Sequence, residues 1–270
     1  MLRLHRTLLF VTALFACVGV CDAAAAKPVV LFDEAHGQRF LTGQSGPLDL
    51  SGLASLFTAA GWDVRTAHKP FGAETLAHVD ALVVSGAFAP VTPQETDAVI
   101  QFLHRGGRLC VMLHIAPPVD ELLHRLNVAI SNGVIRERAH LVATDPLNFG
   151  VTGLEPHPLL RNVGTFNIYG GWALRSLADN ATVIASTSPS AWIDLNGNNA
   201  VDERDAVQSF GVVVAGRTGQ GRFAVFGDDA MFQNQFLTGG NLTLARNLVA
   251  WLGTDATHGT APTARPAGGI

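Results

Sequence analysis

The chain has 270 residues, of which 48% are hydrophobic and 15% are charged. This length is enough for one large or two small domains, and the composition excludes a disordered chain. The formal net charge of −4 offers no electrostatic basis for binding nucleic acid.

Residues 1–26 have the features of a secretion signal. Arg3 and Arg6 precede an apolar run over residues 8–20, and three alanines at 24–26 suit cleavage before residue 27. The run has about 13 residues where a membrane span needs about 20, which disfavours an uncleaved anchor. Residues 14–17, Leu-Phe-Ala-Cys, also resemble a bacterial lipobox. We therefore expect a periplasmic or secreted protein, attached to a membrane only if it is lipidated at Cys17.

The first half of the mature sequence predicts strands that alternate with helices. Strands are expected over residues 27–33, 62–67, 81–84 and 109–113, and helices over 48–60, 92–105 and 117–126. The second of these helices begins with Thr-Pro-Gln-Glu, which is a capping box with Pro at the first helical position. This alternation predicts an α/β fold with a mainly parallel sheet.

The second half of the sequence is richer in strands, which are predicted over residues 166–169, 182–185, 211–214 and 222–226. Turn residues at 217–221 predict that the last two form a hairpin. An amphipathic helix over 241–252 precedes a flexible tail at 253–270, rich in Gly, Ala, Thr and Pro. We find no internal repeat and expect one domain over residues 27–252.

Cys110 is the one cysteine outside the signal, so the mature chain cannot form an internal disulfide. It lies within the apolar run 109–113, which favours a buried, inert thiol over a nucleophile.

Polar residues follow three of the predicted strands. Ligands of parallel α/β sheets bind at the carboxyl ends of the strands, so these side chains are candidates for one binding site. The candidates are Asp33, Glu34, His36, His114, Asp228 and Asp229. The carboxylates also have a structural interpretation, in which they brace loops or cap turns after their strands.

Residues 194–205 have oxygen-bearing side chains at the spacing of a twelve-residue calcium loop. Asn199 occupies loop position 6 in place of Gly, and Asn tolerates the left-handed backbone needed there. The ligands would be Asp194, Asn196, Asn198, Asp202 and Asp205, with the backbone carbonyl of Ala200. The loop resembles that of dockerin-type modules, and its predicted strand flanks indicate a structural calcium site. The alternative is an Asn/Gly-rich turn.

Four segments together resemble the class I glutamine-amidotransferase-like superfamily. They are F-D-E-A-H-G at 32–37, A-L-V-V-S-G at 81–86, G-Q-G-R-F-A-V-F-G-D-D at 219–229 and the helix at 240–252. The resemblance is strongest to a non-catalytic branch, which includes domains of gliding-motility and transport-associated proteins and the N-terminal domain of an intraflagellar-transport subunit. It implies a flavodoxin-like three-layer α/β/α sandwich. The amidotransferase elbow G-x-C-x-G has no counterpart here, because residues 113–116 read Leu-His-Ile-Ala.

We therefore expect an exported, non-enzymatic domain that binds a partner protein or small ligand of the cell envelope at the strand carboxyl ends. One calcium ion would brace its strand-rich half. The alternative is a hydrolase, with carbohydrate as the candidate substrate class, that uses Glu34, His36, His114 and Asp228 in one pocket. A structural envelope component without a ligand pocket is a third class.

Overall fold

The computed structural model describes residues 26–254. The predicted signal up to residue 25, including Cys17, and the tail from residue 255 lie outside the described residues. Within residues 26–254, no helix is both long and apolar enough to cross a membrane.

The described chain is a mixed α/β structure with a large sheet and few helices. Its strands are β1 (Val29–Asp33), β2 (Asp63–Ala67), β3 (Ala81–Ser85), β4 (Arg108–Met112), β5 (Val128–Arg136), β6 (Leu141–Val142), β7 (Asp145–Val151), β8 (Gly153–Leu154), β9 (Phe166–Tyr169), β10 (Trp172–Ser176), β11 (Ala181–Ser186), β12 (Trp192–Ile193), β13 (Ala206–Val207), β14 (Gly211–Thr218) and β15 (Gly221–Phe226). Its α-helices are α1 (Ser51–Ala59), α2 (Pro93–His104), α3 (Asp120–Arg125) and α4 (Gly239–Gly253), and short 3₁₀ helices cover Pro117–Val119, Pro158–Leu160 and Ala230–Phe232.

Five strands pair in parallel, in the order β2-β1-β3-β4-β15. Every residue of β1, β3 and β4 is buried. Continuous apolar runs are expected for parallel strands that are covered on both faces, which is why these three could be predicted. The pairing brings the carboxyl ends of β1, β3, β4 and β15 to one edge of the sheet.

Alternate residues of β1 divide between two hydrophobic clusters. Phe32 belongs to the cluster that contains the buried residues of α1 and α4, and its ring meets Phe57 of α1 edge to face at 5.6 Å. Leu31 belongs to the other cluster, which contains buried residues of α2 and α3. The period of two along a strand accounts for this division.

The second half of the chain extends the sheet with antiparallel strands. The hairpin predicted at residues 217–221 joins β14 to β15, and β14 in turn pairs with β10 and β11. Beyond β10 come β5, β12 and β13, so the twelve-stranded sheet is mixed. The expectation of mainly parallel pairing therefore holds for β1 to β4 and β15 alone. Strands β6, β7 and β9 form a separate three-stranded sheet.

Candidate functional site

A buried ionic network lies at the carboxyl end of β1. His36 Nδ1 is 2.8 Å from Asp33 Oδ2, and its Nε2 is 2.9 Å from Oε1 of Glu95 on α2. The side chains of His36, Asp33 and Glu95 are 5%, 0% and 6% exposed. Gln38 also donates to Asp33 Oδ2 at 2.6 Å. Both ring nitrogens of His36 are thus occupied and shielded from solvent.

The carboxylates of the network favour the protonated form of His36. Burial alone would lower the pKa of His36, but the hydrogen bond and charge of Asp33, together with Glu95, raise it above its ordinary value. Burial would raise the pKa of Glu95, but hydrogen bonds from Thr92 and the Phe71 amide, with the charge of His36, lower it. Imidazolium and carboxylates therefore stabilise one another, and the network ties the loop after β1 to the start of α2.

The same loop also holds the loop after β3. The carbonyl oxygen of His36 accepts hydrogen bonds from the amides of Phe88 and Ala89, at 2.9 and 2.8 Å. Glu34 accepts from the Thr42 amide and hydroxyl at 3.1 and 2.8 Å, which braces the chain that leads to α1. These hydrogen bonds give His36 and Glu34 a structural role in holding the neighbouring loops.

A second polar cluster lies at the carboxyl ends of β4 and β15. His114 Nδ1 is 3.0 Å from Oδ1 of Asp229; the His114 side chain is 37% exposed and that of Asp229 only 1%. The Phe40 and Phe88 rings flank the imidazole, with centroids 5.0 and 5.2 Å away. Trp172 Nε1 donates to the His114 carbonyl at 3.2 Å. No residue from 26 to 254 forms a hydrogen bond with His114 Nε2.

Two buried carboxyl groups lie beneath this imidazole. Burial, followed by the charge of Asp229, raises the pKa of Asp228 to about 8, although the Tyr169 and Ala230 amides donate to its two oxygens at 2.8 and 2.9 Å. Burial also raises the pKa of Asp229, and its bond with His114 opposes that rise. Asp228 is consequently protonated at neutral pH, and Asp229 is the carboxyl group that pairs with His114.

Asp229 is packed tightly against the end of β3. Its Oδ2 is buried and has no hydrogen-bond partner within the described part of the chain. A Cβ atom on Gly86 would lie 2.7 Å from this oxygen, and Gly86 has a φ of +58°, so glycine is required there. The carboxylate is thereby fixed behind the His114 ring.

His114 has the orientation of a ligand-binding or proton-transferring group. Its hydrogen bond with Asp229 raises its pKa above the ordinary value, assisted by the charge of Asp229; burial and the charge of Arg39 oppose the rise. Because Nδ1 is held by Asp229, Nε2 is left to donate to a ligand or, once deprotonated, to accept a proton.

The six candidates thus form two clusters rather than one pocket. Asp33 and His36 belong to the buried network, Glu34 braces the neighbouring chain, and Asp228 and Asp229 support His114. Phe88 contacts both clusters. Its amide donates to the His36 carbonyl, and its ring packs on the His114 imidazole. Sequence reasoning missed Glu95, Arg39, Phe40 and Phe88. The capping box predicted that Glu95 caps a helix. A capping carboxylate has a second oxygen that can bind elsewhere, and this was the one signal in the sequence for the contact between Glu95 and His36.

The loop over residues 194–205 has part of the conformation of a calcium loop. Asn199 has a φ of +57°, which is the left-handed conformation predicted for position 6. Asp194 accepts from the Gly197 and Asn199 amides at 2.7 and 2.8 Å, while Arg204 pairs with Asp202 at 2.8 Å. Between residues 26 and 254, no three His, Cys, Asp or Glu side chains are grouped to hold a metal. The backbone of residues 194–205 therefore matches a calcium loop more closely than the positions of its carboxylates do.

Cys110 is fully buried in β4, and burial raises the pKa of its thiol well above the ordinary value. This confirms the expectation of a buried thiol.

Solved structures with a similar fold come from several kinds of protein. The chain is similar to the mmIFT52 N-terminal domain, with a TM-score of 0.68, 19% identity, and 85% of this chain and 99% of that one covered. It is also similar to a ThuA-like protein from Bacteroides uniformis (TM-score 0.52, 15% identity, 85% and 93% covered). A third is the cytoplasmic protein STM1381 from Salmonella typhimurium LT2 (0.52, 16%, 83% and 99%). At these identities the likeness shows the fold alone.

No curated protein sequence matches the chain. A family model does match, over residues 43–249, which is most of the part that contains the sheet. The chain therefore belongs to the family described as a domain of unknown function, DUF4350.

Proposed function

We propose that this protein is a non-enzymatic binding domain whose partner protein or small ligand binds beside His114, at the carboxyl ends of β3, β4 and β15. One observation carries the proposal. Among the six candidate residues, His114 alone offers a substantially exposed polar side chain, at 37%, against 11% for Glu34 and 5% for His36. A buried carboxylate holds its imidazole in a fixed orientation, which reduces the entropy that binding would cost.

The lack of an activated nucleophile at this histidine supports binding over catalysis. Within residues 26–254, no Ser, Thr or Cys side chain forms a hydrogen bond with His114. Nucleophilic catalysis needs such a contact between nucleophile and base. The test is to assay the protein and its His114→Ala variant for ammonia release from glutamine and for ester hydrolysis. We expect no turnover by either, and turnover that disappears in the variant would overturn the proposal.

A hydrolase is the second candidate, and the His114–Asp229 pair is the observation that favours it. A histidine held at Nδ1 by a buried carboxylate, with Nε2 outward, can act as a general base. His36 and Asp228 would not touch the substrate, because both are buried and hydrogen-bonded. Extending the same assay to glycosides separates the candidates, since glycoside cleavage that requires His114 would favour the hydrolase.

We also propose that the fold is a flavodoxin-like three-layer sandwich of the amidotransferase-like superfamily. The order β2-β1-β3-β4-β15 of the parallel strands supports it, because flavodoxin-like sheets have the order 2-1-3-4-5. The division of β1 between two hydrophobic clusters is also consistent with helices on both faces. An experimental structure with α1 and α2 on the same face would contradict the proposal.

Export remains a proposal that rests on the amino-terminal sequence. Cleavage before Lys27 would produce a soluble envelope or secreted protein, whereas lipidation would leave Cys17 as the first residue. The intact mass of the protein recovered from cell fractions distinguishes these forms. A full-length chain confined to the cytoplasm would contradict both.

We propose one structural calcium ion in the loop over residues 194–205. The left-handed Asn199 and the closely spaced side-chain oxygens support it. Arg204 at 2.8 Å from Asp202 and Arg136 at 3.8 Å from Asp194 occupy carboxylates that a cation would need. Calcium would therefore displace these arginines, and low affinity in the extracellular range of about 10⁻⁴ to 10⁻³ M is expected.

A further inference from the structure

Arg39 and His114 both lie against one aromatic ring beside the proposed binding site. The guanidinium carbon of Arg39 is 4.4 Å from the Phe88 ring centroid, and the His114 ring is 5.2 Å from the same centroid. These two contacts place the guanidinium and the imidazole beside the same aromatic ring, so a ligand that covers this ring would lie next to both groups.

Arg39 is exposed, and stacking on Phe88 is its one specific contact within residues 26–254. No carboxylate in that part of the chain forms an ion pair with it. The stacking restrains the guanidinium while leaving its N–H donors available. A restrained guanidinium with free donors is a typical group for binding carboxylate or phosphate.

The carboxyl groups of the two clusters have partners other than Arg39. Asp229 pairs with His114, and the Tyr169 and Ala230 amides hold Asp228, whose pKa is raised to about 8 by burial beside Asp229. Glu34 is held by Thr42 and has its other oxygen 4.0 Å from His68, on the side of β2. Arg39 therefore presents a positive charge that no carboxylate of residues 26–254 pairs with.

Aromatic rings supply an apolar surface next to these cations. Phe40 and Phe88 are partly exposed, and they flank the His114 imidazole at 5.0 and 5.2 Å. Trp172 is also partly exposed and is fixed by its bond to the His114 carbonyl. A ligand that covers these rings removes apolar surface from water, at about 25 cal/mol per Å².

We propose that the site beside His114 binds a small organic anion. Its carboxylate or phosphate group would accept hydrogen bonds from His114 Nε2 and Arg39, and its apolar part would cover Phe40 and Phe88. This inference rests on the proposed binding function and names the class of ligand. A neutral ligand would desolvate the charge of Arg39 without supplying the opposite charge that offsets this cost. The Phe40 and Phe88 rings next to His114 offer contact to the apolar part of a small molecule.

The test compares benzoate with benzamide, which has the same shape and no charge, and includes phenyl phosphate as the phosphate form. Binding to the purified protein is followed by calorimetry and by the His114 ring resonances. We expect benzoate or phenyl phosphate to bind about tenfold more tightly than benzamide, which is the discrimination that one ionic contact provides. In Arg39→Met the anion should lose about tenfold in affinity, whereas benzamide should bind as before.

Arg65→Met is the matched control, because Arg65 is also exposed but pairs with Asp63 on β2. It should leave the affinity for every probe unchanged. Equal affinities for benzoate and benzamide, or an Arg39→Met variant that keeps the preference, would overturn the anion inference and leave the binding function intact. Absence of binding by all three probes would also overturn it. The proposed binding function has a separate test, the turnover assay, and it is contradicted if turnover depends on His114.

Discussion

Two histidines at the same sheet edge have opposite environments, and the carboxylates around them decide the difference. His36 uses both ring nitrogens, one with Asp33 and one with Glu95, and it is sealed from solvent. His114 uses one nitrogen, with Asp229, and keeps the other available. The first residue therefore stabilises the loops around the site, and the second is available to a ligand.

The His36→Ala variant should lose about 3–5 kcal/mol of unfolding free energy, because two buried carboxylates would be left without their cation. Urea denaturation at neutral pH measures the loss. His68→Ala provides the control, since the His68 side chain is 67% exposed and should change stability by less than about 0.5 kcal/mol. A loss below about 1 kcal/mol in His36→Ala would contradict a structural role.

Asp228 should make the protein less stable as the pH rises. Its pKa in the folded protein is about 8, above the ordinary value of 3.8. The stability that Asp228 contributes is therefore fully present below pH 3.8 and is lost as the pH rises through about 8. Between the two, the free energy of unfolding should fall by up to about 1.4 kcal/mol per pH unit from this group alone. Asp228→Asn removes this component, and parallel slopes for wild type and variant would show that Asp228 is ionised in the folded protein.

At the scale of elements, the loops after β1 and β3 are held together next to the candidate site. The start of α2 joins them, because Thr92 and Glu95 form the predicted capping box and Glu95 also reaches His36. One carboxylate thus caps a helix through Oε2 and completes the buried network through Oε1.

Thr92→Ala should destabilise the protein by about 1 kcal/mol, the usual effect of losing a side-chain N-cap. Glu95→Ala should cost more, because it also leaves His36 and the Phe71 amide without an acceptor. Chemical denaturation of both variants tests the order. Thr92→Ser, which keeps the hydroxyl, should be close to wild type, and a Glu95→Ala variant no worse than Thr92→Ala would contradict the shared role.

Calcium should raise the melting temperature if the loop over residues 194–205 binds it. At a free concentration ten times the dissociation constant, binding stabilises by about 1.4 kcal/mol, or roughly 3–6 °C for a domain of this size. A thermal melt with millimolar calcium and then with chelator measures the shift. Asp194→Asn should abolish it, whereas Asp145→Asn, outside the loop, should not. Equal melting temperatures with and without calcium would remove the ion from the proposal.

At the scale of the whole molecule, local signals predicted the parallel half better than the antiparallel half. The apolar runs of β1, β3 and β4 and the capping box of α2 are contained in short segments. The strand β5 was missed, because Asn132-Gly133 at its centre has the composition of a hairpin turn. The strand forms nevertheless, since it pairs with β10 and β12 from distant parts of the chain.

The sequence could predict that the candidate residues lie at one edge of the sheet, but not which of them contact one another. Parallel strands bring His36, His114 and Asp228 to one edge, and the sequence could indicate that much. Which group is sealed depends on contacts across 59 residues for His36 and Glu95, and 115 for His114 and Asp229. The periodicity of the sequence gives no information about contacts between side chains so far apart in the chain.

The central claim is that His114, and not His36, is the group at the sheet edge that a ligand can reach. Hydrogen–deuterium exchange at the imidazole Cε1 position, read by mass spectrometry of peptides, measures this directly on the folded protein. With exposed His68 as the reference, we predict that His114 exchanges at a comparable rate and that His36 is protected by about tenfold or more. Exchange of His36 as fast as that of His114 would contradict the account.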